Sequence, residues 1–475
     1  MKKREPAANQ TQETSTEASN TEITHTSTWH TIVIGGGPAG MMAAGRAAEL
    51  GNMLGGPRTK VLLIEKNDTL GKKLLITGGG RCNVTNAEFD NRVLLAHFKD
   101  AGKFLFSAFA QYDVKSSLDF FHSRNMPTKV EAGQRVFPAS NKAESVWQVM
   151  VDYVRSTGVT VLSDSPVAGI ARDPKSGEPT GVILKNKKII RADNIIIATG
   201  GTSRPETGST GDAYKWLADL GHTVTEPTPS LVPLAIKDAW IKRLAGVTLT
   251  DIKLSLYQNG IKQTTAATAL STAAAARQKQ KILFTHVGVT GPTVLNMSRD
   301  VSELLKYGDV TLSLDLLPKL DYSALNTALQ ELFRVHDKKK FKNSLGELIP
   351  SAMVPIVVEL SGIDPDTECN SVLRESRLRL ITLLKGIPLQ VKGLLGLDKA
   401  IISSGGIALE EVDFKTMRSR RFPNLYVVGD VLNIDRPSGG YSLQLCWTTG
   451  FVAGSAAGND GDNTTGNEVR AKATT

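Results

Sequence analysis

The chain has 475 residues, 41% apolar and 22% charged, which suits a globular protein of two or three domains at about 100–200 residues each and excludes a fibrous or wholly disordered one. No apolar run approaches the roughly 18–20 residues that a helical bilayer span needs, which excludes that class of membrane protein. The formal charge is +9, but the basic clusters at 338–340 and 418–421 are short and read as solvated faces rather than as a nucleic-acid interface.

Residues 1–29 are rich in Thr, Ser, Asn, Glu and Ala, and a disordered tail is expected there. The tail lacks the apolar core of a secretory signal, and Glu5, Glu13, Glu17 and Glu22 argue against an organelle transit peptide. The three cysteines, Cys82, Cys369 and Cys446, are far apart and form neither a CxxC pair nor a metal-ligand spacing. A reducing, cytoplasmic setting without a bound metal is the simpler expectation.

The first ordered segment carries most of the information. An apolar strand at 32–34 stops at GGGPAG (35–40), a helix of small residues follows, and a second apolar strand at 61–64 ends in Glu65. This strand, glycine turn, helix, strand and acid order binds a dinucleotide. Gly35 permits the turn, Gly37 leaves room for a pyrophosphate, and Gly40 lets helix and strand pack closely. The helix N-terminus, opening at Pro38 and Ala39, offers N–H donors to the phosphates. Glu65 is expected to accept hydrogen bonds from the adenosine ribose.

Further along, the loop LGKKLLITGGGRCNVTN spans 70–86, and helical patterns cover 93–112, 114–124 and 143–156. Short strands at 160–162, 167–172, 181–185 and 188–191 read as a β-meander. The continuous apolar run 194–198, ending in Thr199-Gly200-Gly201, suits a parallel strand buried on both faces. From about 227 the pattern changes to strands at 230–236, 247–258 and 310–314, with an Ala/Thr run at 264–277 read as a loop insertion. Residues 322–385 have helical period. The first pattern then returns: an apolar strand at 422–428 ends in Gly429-Asp430, and Gly439-Gly440-Tyr441-Ser442 opens a last helix of small residues. A nucleotide domain split by a long central insertion follows.

The late strand with Gly429-Asp430 and the helix after Gly440 favour FAD over NAD, since an NAD dehydrogenase has no need of them. Asp430 is placed to bond the ribityl or pyrophosphate region, and a helix N-terminus near the flavin pyrimidine would stabilise the charge of the reduced ring. No second GxGxxG follows a strand, so NAD(P)H enters only as a transient donor.

LGKKLLITGGGRCNVTN, ATGGTSRPETGSTGDAY and GGYSLQLCWTTGFVAG resemble the bacterial BaiN-like flavoproteins, NAD(P)/FAD-dependent oxidoreductases that include aminoacetone oxidases and a bile-acid reductase. PSLVPL (229–234) and FTHVGVTGP (284–292) are similar to that family too, and the resemblance runs over roughly residues 30–458. The chain departs from the family at the insertion NMLGGPRT, at the Ala/Thr run, and at Asp430, where the family often has Glu.

The resemblance implies an α/β fold. A Rossmann-like FAD-binding domain with a β-meander (30–215 and 396–458) is interrupted by a β-barrel-like substrate domain (216–320 and 386–395) and a small helical insert (321–385), and 459–475 form a second disordered tail. It also implies non-covalent FAD, a small-molecule substrate between the first two domains, and hydride transfer through flavin N5. Oxidase and reductase directions stay open, as do an RNA-modifying flavoenzyme and a non-catalytic redox sensor.

The cofactor contacts expected are Gly35, Gly37, Pro38, Ala39, Gly40, Glu65, Lys66, Lys73, Gly79, Arg81, Cys82, Gly200, Gly201, Gly429, Asp430, Gly440, Tyr441 and Ser442. His286, Tyr441 and Arg81 are the weak catalytic candidates. Each has a plainer reading: a structural histidine, a packing aromatic and a solvated arginine. Cys82 likewise reads more readily as a buried structural thiol than as a redox group.

Overall fold

The computed structural model describes residues 28–53, 60–263, 280–396 and 398–459. The Ala/Thr run, most of the NMLGGPRT insertion and nearly all of both tails lie outside them. Among the described residues no helix is long and apolar enough to cross a membrane.

Strands between residues 29 and 197, joined by one at 425–427, build one mixed seven-stranded sheet. Trp29–Ile34 lies at its centre, parallel to Val61–Ile64 on one side and to Ile189–Ile197 on the other. Thr160–Leu162 adds in parallel beyond Val61–Ile64, so it belongs to the main sheet and not to the meander expected from the sequence. The meander itself is Val167–Arg172, Pro179–Leu184 and the start of Ile189–Ile197.

Two strands expected from the sequence, 188–191 and 194–198, are therefore one. Its first half alternates exposed and buried residues, and its second half is buried on both faces. On the edge away from Trp29–Ile34, the strand pairs first with Pro179–Leu184 and then, in parallel, with Leu425–Val427 from the end of the chain. The helix expected at 93–112 is two helices, Asn91–Ala96 and Ala101–Gln111, with Lys99 left-handed between them.

The strands between residues 234 and 394 close on themselves. Thr248–Gln258 pairs with Gln280–Phe284 and also with Val310–Asp315, and the ladder runs on through Gly288–Thr290, Leu234–Ile236 and Ile387–Leu394 back to Val310–Asp315. The result is a small barrel, and closure leaves few open strand edges. Helices Tyr322–Val335, Val354–Ser361 and Arg374–Lys385 bury Leu325, Leu329, Ile356, Leu380 and Leu384 in the same apolar core as Leu254, Leu312 and Leu389 of the barrel.

The two ends of the chain meet along a pair of helices, Pro38–Met53 and Tyr441–Asn459. A Cβ at Gly450 would sit 2.5 Å from the carbonyl oxygen of Ala39, one at Gly454 2.5 Å from that of Ala43, and one at Gly458 3.0 Å from that of Ala47. Three glycines four residues apart thus face three alanines four residues apart, and the helices run parallel with their backbones in contact.

Two effects of opposite sign meet at Gly454. Alanine there gains up to about 1 kcal/mol of helix propensity, but its methyl overpacks the contact at a cost of about 1–3 kcal/mol. We predict that Gly454→Ala lowers the urea midpoint of unfolding. A raised midpoint would show that the helices have slack.

Candidate functional site

The helix pair aims two N-termini into one cleft. With Gly450 level with Ala39, the later helix begins about eight residues, or about 12 Å, before the earlier one. The cleft contains about 1190 Å³ of non-atom space, part of it open to solvent, and runs from Glu65 and Asn67 past Gly35, Gly37 and Ala39 to Asp430, Ser442 and Cys446. It meets the N–H groups of both helix starts, with no acidic side chain in the first turn of either helix.

At one end Glu65 pins the glycine turn. Its Oε2 accepts from the Gly36 N–H at 2.7 Å, and its Oε1 accepts from the Asn67 N–H at 2.9 Å and the Asn67 side-chain amide at 2.7 Å. Of the roughly four acceptor directions of a carboxylate, three are occupied by the protein itself. Lys66 reaches across to Thr210 Oγ1 at 2.5 Å and Asp212 at 2.7 Å, and Asn67 donates to the Thr207 carbonyl at 3.1 Å. Burial opposes ionisation of Asp212, but Lys66 and Thr210 outweigh it and hold the carboxyl below the usual range.

At the other end lies a cluster of charges. Asp430 is held by Arg436, whose Nη1 also donates to the Ile434 carbonyl at 2.7 Å and whose Nε donates to Ser442 Oγ at 3.0 Å. Arg436 is 3% exposed. Lys73 donates to Ser203 Oγ at 2.5 Å and stands 3.8 Å from Asp430. Burial pushes the Lys73 ammonium below its ordinary pKa, against the pull of Asp430. Two cations against one carboxylate leave this stretch positive, which suits an anionic ligand.

The glycine turn passes a direct test of fit. Gly35 and Gly40 are both packed against backbone, whereas a Cβ added at Gly37 would meet no protein atom within 4 Å. That space opens on the cleft, at the position where a pyrophosphate is expected.

Of the residues singled out in the sequence, Gly35, Gly37, Pro38, Ala39, Glu65, Lys66, Lys73, Gly200, Gly429, Asp430 and Ser442 line this cleft. The others do not, each for a stated reason. Gly40 is packed on the Gly35 carbonyl, Gly201 on Ser403 and Gly440 on Thr85. Gly79 is exposed, with open space around it. Arg81 turns away to Glu131 at 2.5 Å and Asn141 at 2.6 Å and lies over the Phe137 ring at 4.2 Å. Cys82 is fully buried, and burial pushes its thiol up to about 12, too high for a reactive thiolate. Tyr441 packs on His97, with ring centroids 5.0 Å apart, and on Phe98. His286 is exposed on the turn between two barrel strands.

Sequence reasoning missed Arg436. The only signal was a charged residue inside a loop otherwise bounded by Gly429 and Gly439-Gly440. Among the described residues no group of His, Cys, Asp and Glu could hold a metal ion.

With this geometry in view, comparison with known proteins is decisive. The profile of the HI0933-like protein Rossmann domain matches residues 29–456. The chain belongs to the HI0933-like Rossmann family. It is 30% identical over 430 residues to the 3-dehydro-bile acid delta(4,6)-reductase of Clostridium scindens, covering 90% of this chain and 98% of the relative. It is 28% identical over 425 residues to the ribosomal RNA dihydrouridine synthase of Escherichia coli, covering 89% and 96%. A solved 3-ketosteroid delta1-dehydrogenase from Sterolibacterium denitrificans aligns over 91% of this chain and 100% of its own, with a TM-score of 0.47 and 13% identity. Family membership and the cleft together support the enzyme class read from the sequence, an FAD-dependent oxidoreductase.

Two variants separate fold from ligand. Gly37→Val places its side chain in open space, so we predict a urea midpoint close to that of the parent, with FAD retention lost in the absorption spectrum. Retained flavin would remove the turn from the site. Arg436→Met leaves Asp430 with only Lys73, 3.8 Å away, as a cationic neighbour, and we predict a stability loss of about 3 kcal/mol by urea unfolding, the low end of the range for breaking a buried ion pair. An unchanged midpoint would show that the pair is dispensable.

Proposed function

We propose that the protein is an FAD-dependent reductase that saturates a carbon–carbon double bond conjugated to a carbonyl. One observation carries this reading: two relatives matching about nine-tenths of the chain carry names that describe the same bond change on unlike molecules. A 3-oxo steroid with 4,6 unsaturation and a uracil ring both hold a double bond in conjugation with a carbonyl. The shared element is the chemistry of the bond, and the substrate is what differs.

The lining of the cleft supports the following cofactor contacts. The turn from Gly35 to Gly40 and the N-terminus at Pro38 hold the pyrophosphate, and Lys73 lends it positive charge. Glu65 keeps one free acceptor direction for the adenosine ribose. Asp430, fixed by Arg436, bonds the ribityl region. Bound FAD supplies hydride transfer at N5, with NAD(P)H as the transient donor. The polypeptide binds, orients and excludes water.

A small carbonyl compound is favoured over RNA by the state of the basic clusters. Lys340 and Lys342 pair with Asp366 at 3.1 and 2.7 Å, Lys339 lies 3.9 Å from Glu347, and Arg421 pairs with Glu411 at 2.9 Å. These ion pairs tie Lys339, Lys340 and Arg421 of the clusters to local acids, which leaves a shorter basic stripe than the sequence suggests.

The test is anaerobic. NADPH or NADH should bleach the flavin, and an α,β-unsaturated ketone should restore the colour, whereas a saturated ketone should not. Reoxidation by a uridine-containing ribosomal RNA fragment, with salt-dependent binding, would move the substrate to RNA. Bleaching by an amine and recolouring by oxygen alone would make the protein an oxidase.

A further inference from the structure

The loop between Asp430 and Tyr441 looks both ways. Arg436 points into the first unit, where it holds Asp430 and Ser442 at the cleft. The residues on either side of it point out, to the helix Pro292–Leu304 that follows the barrel strand Gly288–Thr290. That helix buries Val294, Met297 and Val301 in the barrel core, so it moves with the barrel.

Two of its polar side chains grip the loop. Asn296 Oδ1 accepts from both the backbone N–H and the hydroxyl of Ser438, each at 3.0 Å. Arg299 Nη1 donates to Asp435 Oδ2 at 2.5 Å. Asp435 also accepts from Lys99 at 3.2 Å and from the Ser230 hydroxyl at 3.4 Å. Burial opposes its ionisation, yet Arg299 and Lys99 hold the carboxyl below the usual range, so it stays a charged anchor near neutral pH. The far end of the loop is set by Asn86, which donates to the Gly439 carbonyl at 3.1 Å, and by Gly440 against Thr85.

We infer that Asn296 and Arg299 are positioning residues: through Ser438 and Asp435 they let the barrel unit set the geometry of the Asp430–Ser442 end of the cofactor cleft. The inference rests on the reading of the cleft as an FAD site. Its consequence is that the unit expected to face the substrate also holds the groups that touch the cofactor. A substrate pressing on the barrel side is then coupled to the cofactor through two side chains and one loop.

The experiment uses the full-length protein loaded with FAD, reading the visible circular dichroism and midpoint potential of the bound flavin alongside the urea midpoint. Arg299→Met and Asn296→Ala should each alter the flavin signal and shift the potential while one FAD per chain is kept. Arg299→Lys should restore most of the parent signal, because an ammonium can still pair with Asp435. Arg243→Met, which breaks an exposed pair with Glu359 elsewhere in the barrel unit, should leave the signal unchanged. Flavin signal and potential identical to the parent in both Arg299→Met and Asn296→Ala, with only the urea midpoint lowered, would overturn the inference. A parent protein that takes up no FAD would overturn it together with the cofactor reading.

Discussion

Everything at the site depends on one close contact, the parallel packing of Pro38–Met53 on Tyr441–Asn459. The helices come from opposite ends of the chain, and only the lack of side chains at Gly450, Gly454 and Gly458 lets them touch through their backbones. The contact fixes both their separation and their stagger. The stagger matters as much as the separation, because it sets two helix N-termini at different depths along one cleft. A ligand with an anionic middle and a ring at one end suits that spacing, whereas a compact ligand would meet only one of them. The strand Leu425–Val427, inserted beside Ile195–Ile197, delivers the second helix to its place.

The parts of this arrangement that were legible in the sequence are those set by local geometry. The turn from Gly35 to Gly40 and the acid at Glu65 are separated by a fixed strand and helix, so their spacing is a sequence property. Gly429-Asp430 and Gly439-Gly440 were legible for the same reason. The long-range partners were not. Arg436 looks like any loop arginine until Asp430 and Ser442 are seen around it. Arg81 looks like a phosphate ligand beside its glycines, but strand Thr128–Glu131 brings Glu131 to it and Arg135–Pro138 brings the Phe137 ring beneath it. Strand Ile189–Ile197 reads as two in the sequence because its side-chain pattern changes halfway, as it passes from a half-exposed meander into a doubly covered sheet.

The charge of the chain is explained in the same terms. An excess of basic residues invites a nucleic-acid reading, but Lys340, Lys339 and Arg421 of the clusters that attract attention in the sequence are tied to Asp366, Glu347 and Glu411. Lys73 differs. It is half-buried, carries a depressed pKa and shares the cleft with Asp430, which the buried Arg436 holds from behind. Desolvation makes such a charge costly unless an anion meets it, so the local positive excess is better understood as complementary to a ligand than as surface decoration.

The central claim, that both ends of the chain enclose one cofactor, is tested most directly by hydrogen exchange of the backbone amides with and without FAD. The account predicts that saturating FAD slows exchange at the start of Pro38–Met53 and, in the same molecule, at 429–442, with one FAD bound per chain. Protection confined to the first glycine turn, with the residues from Gly429 to Ser442 unaffected, would contradict it.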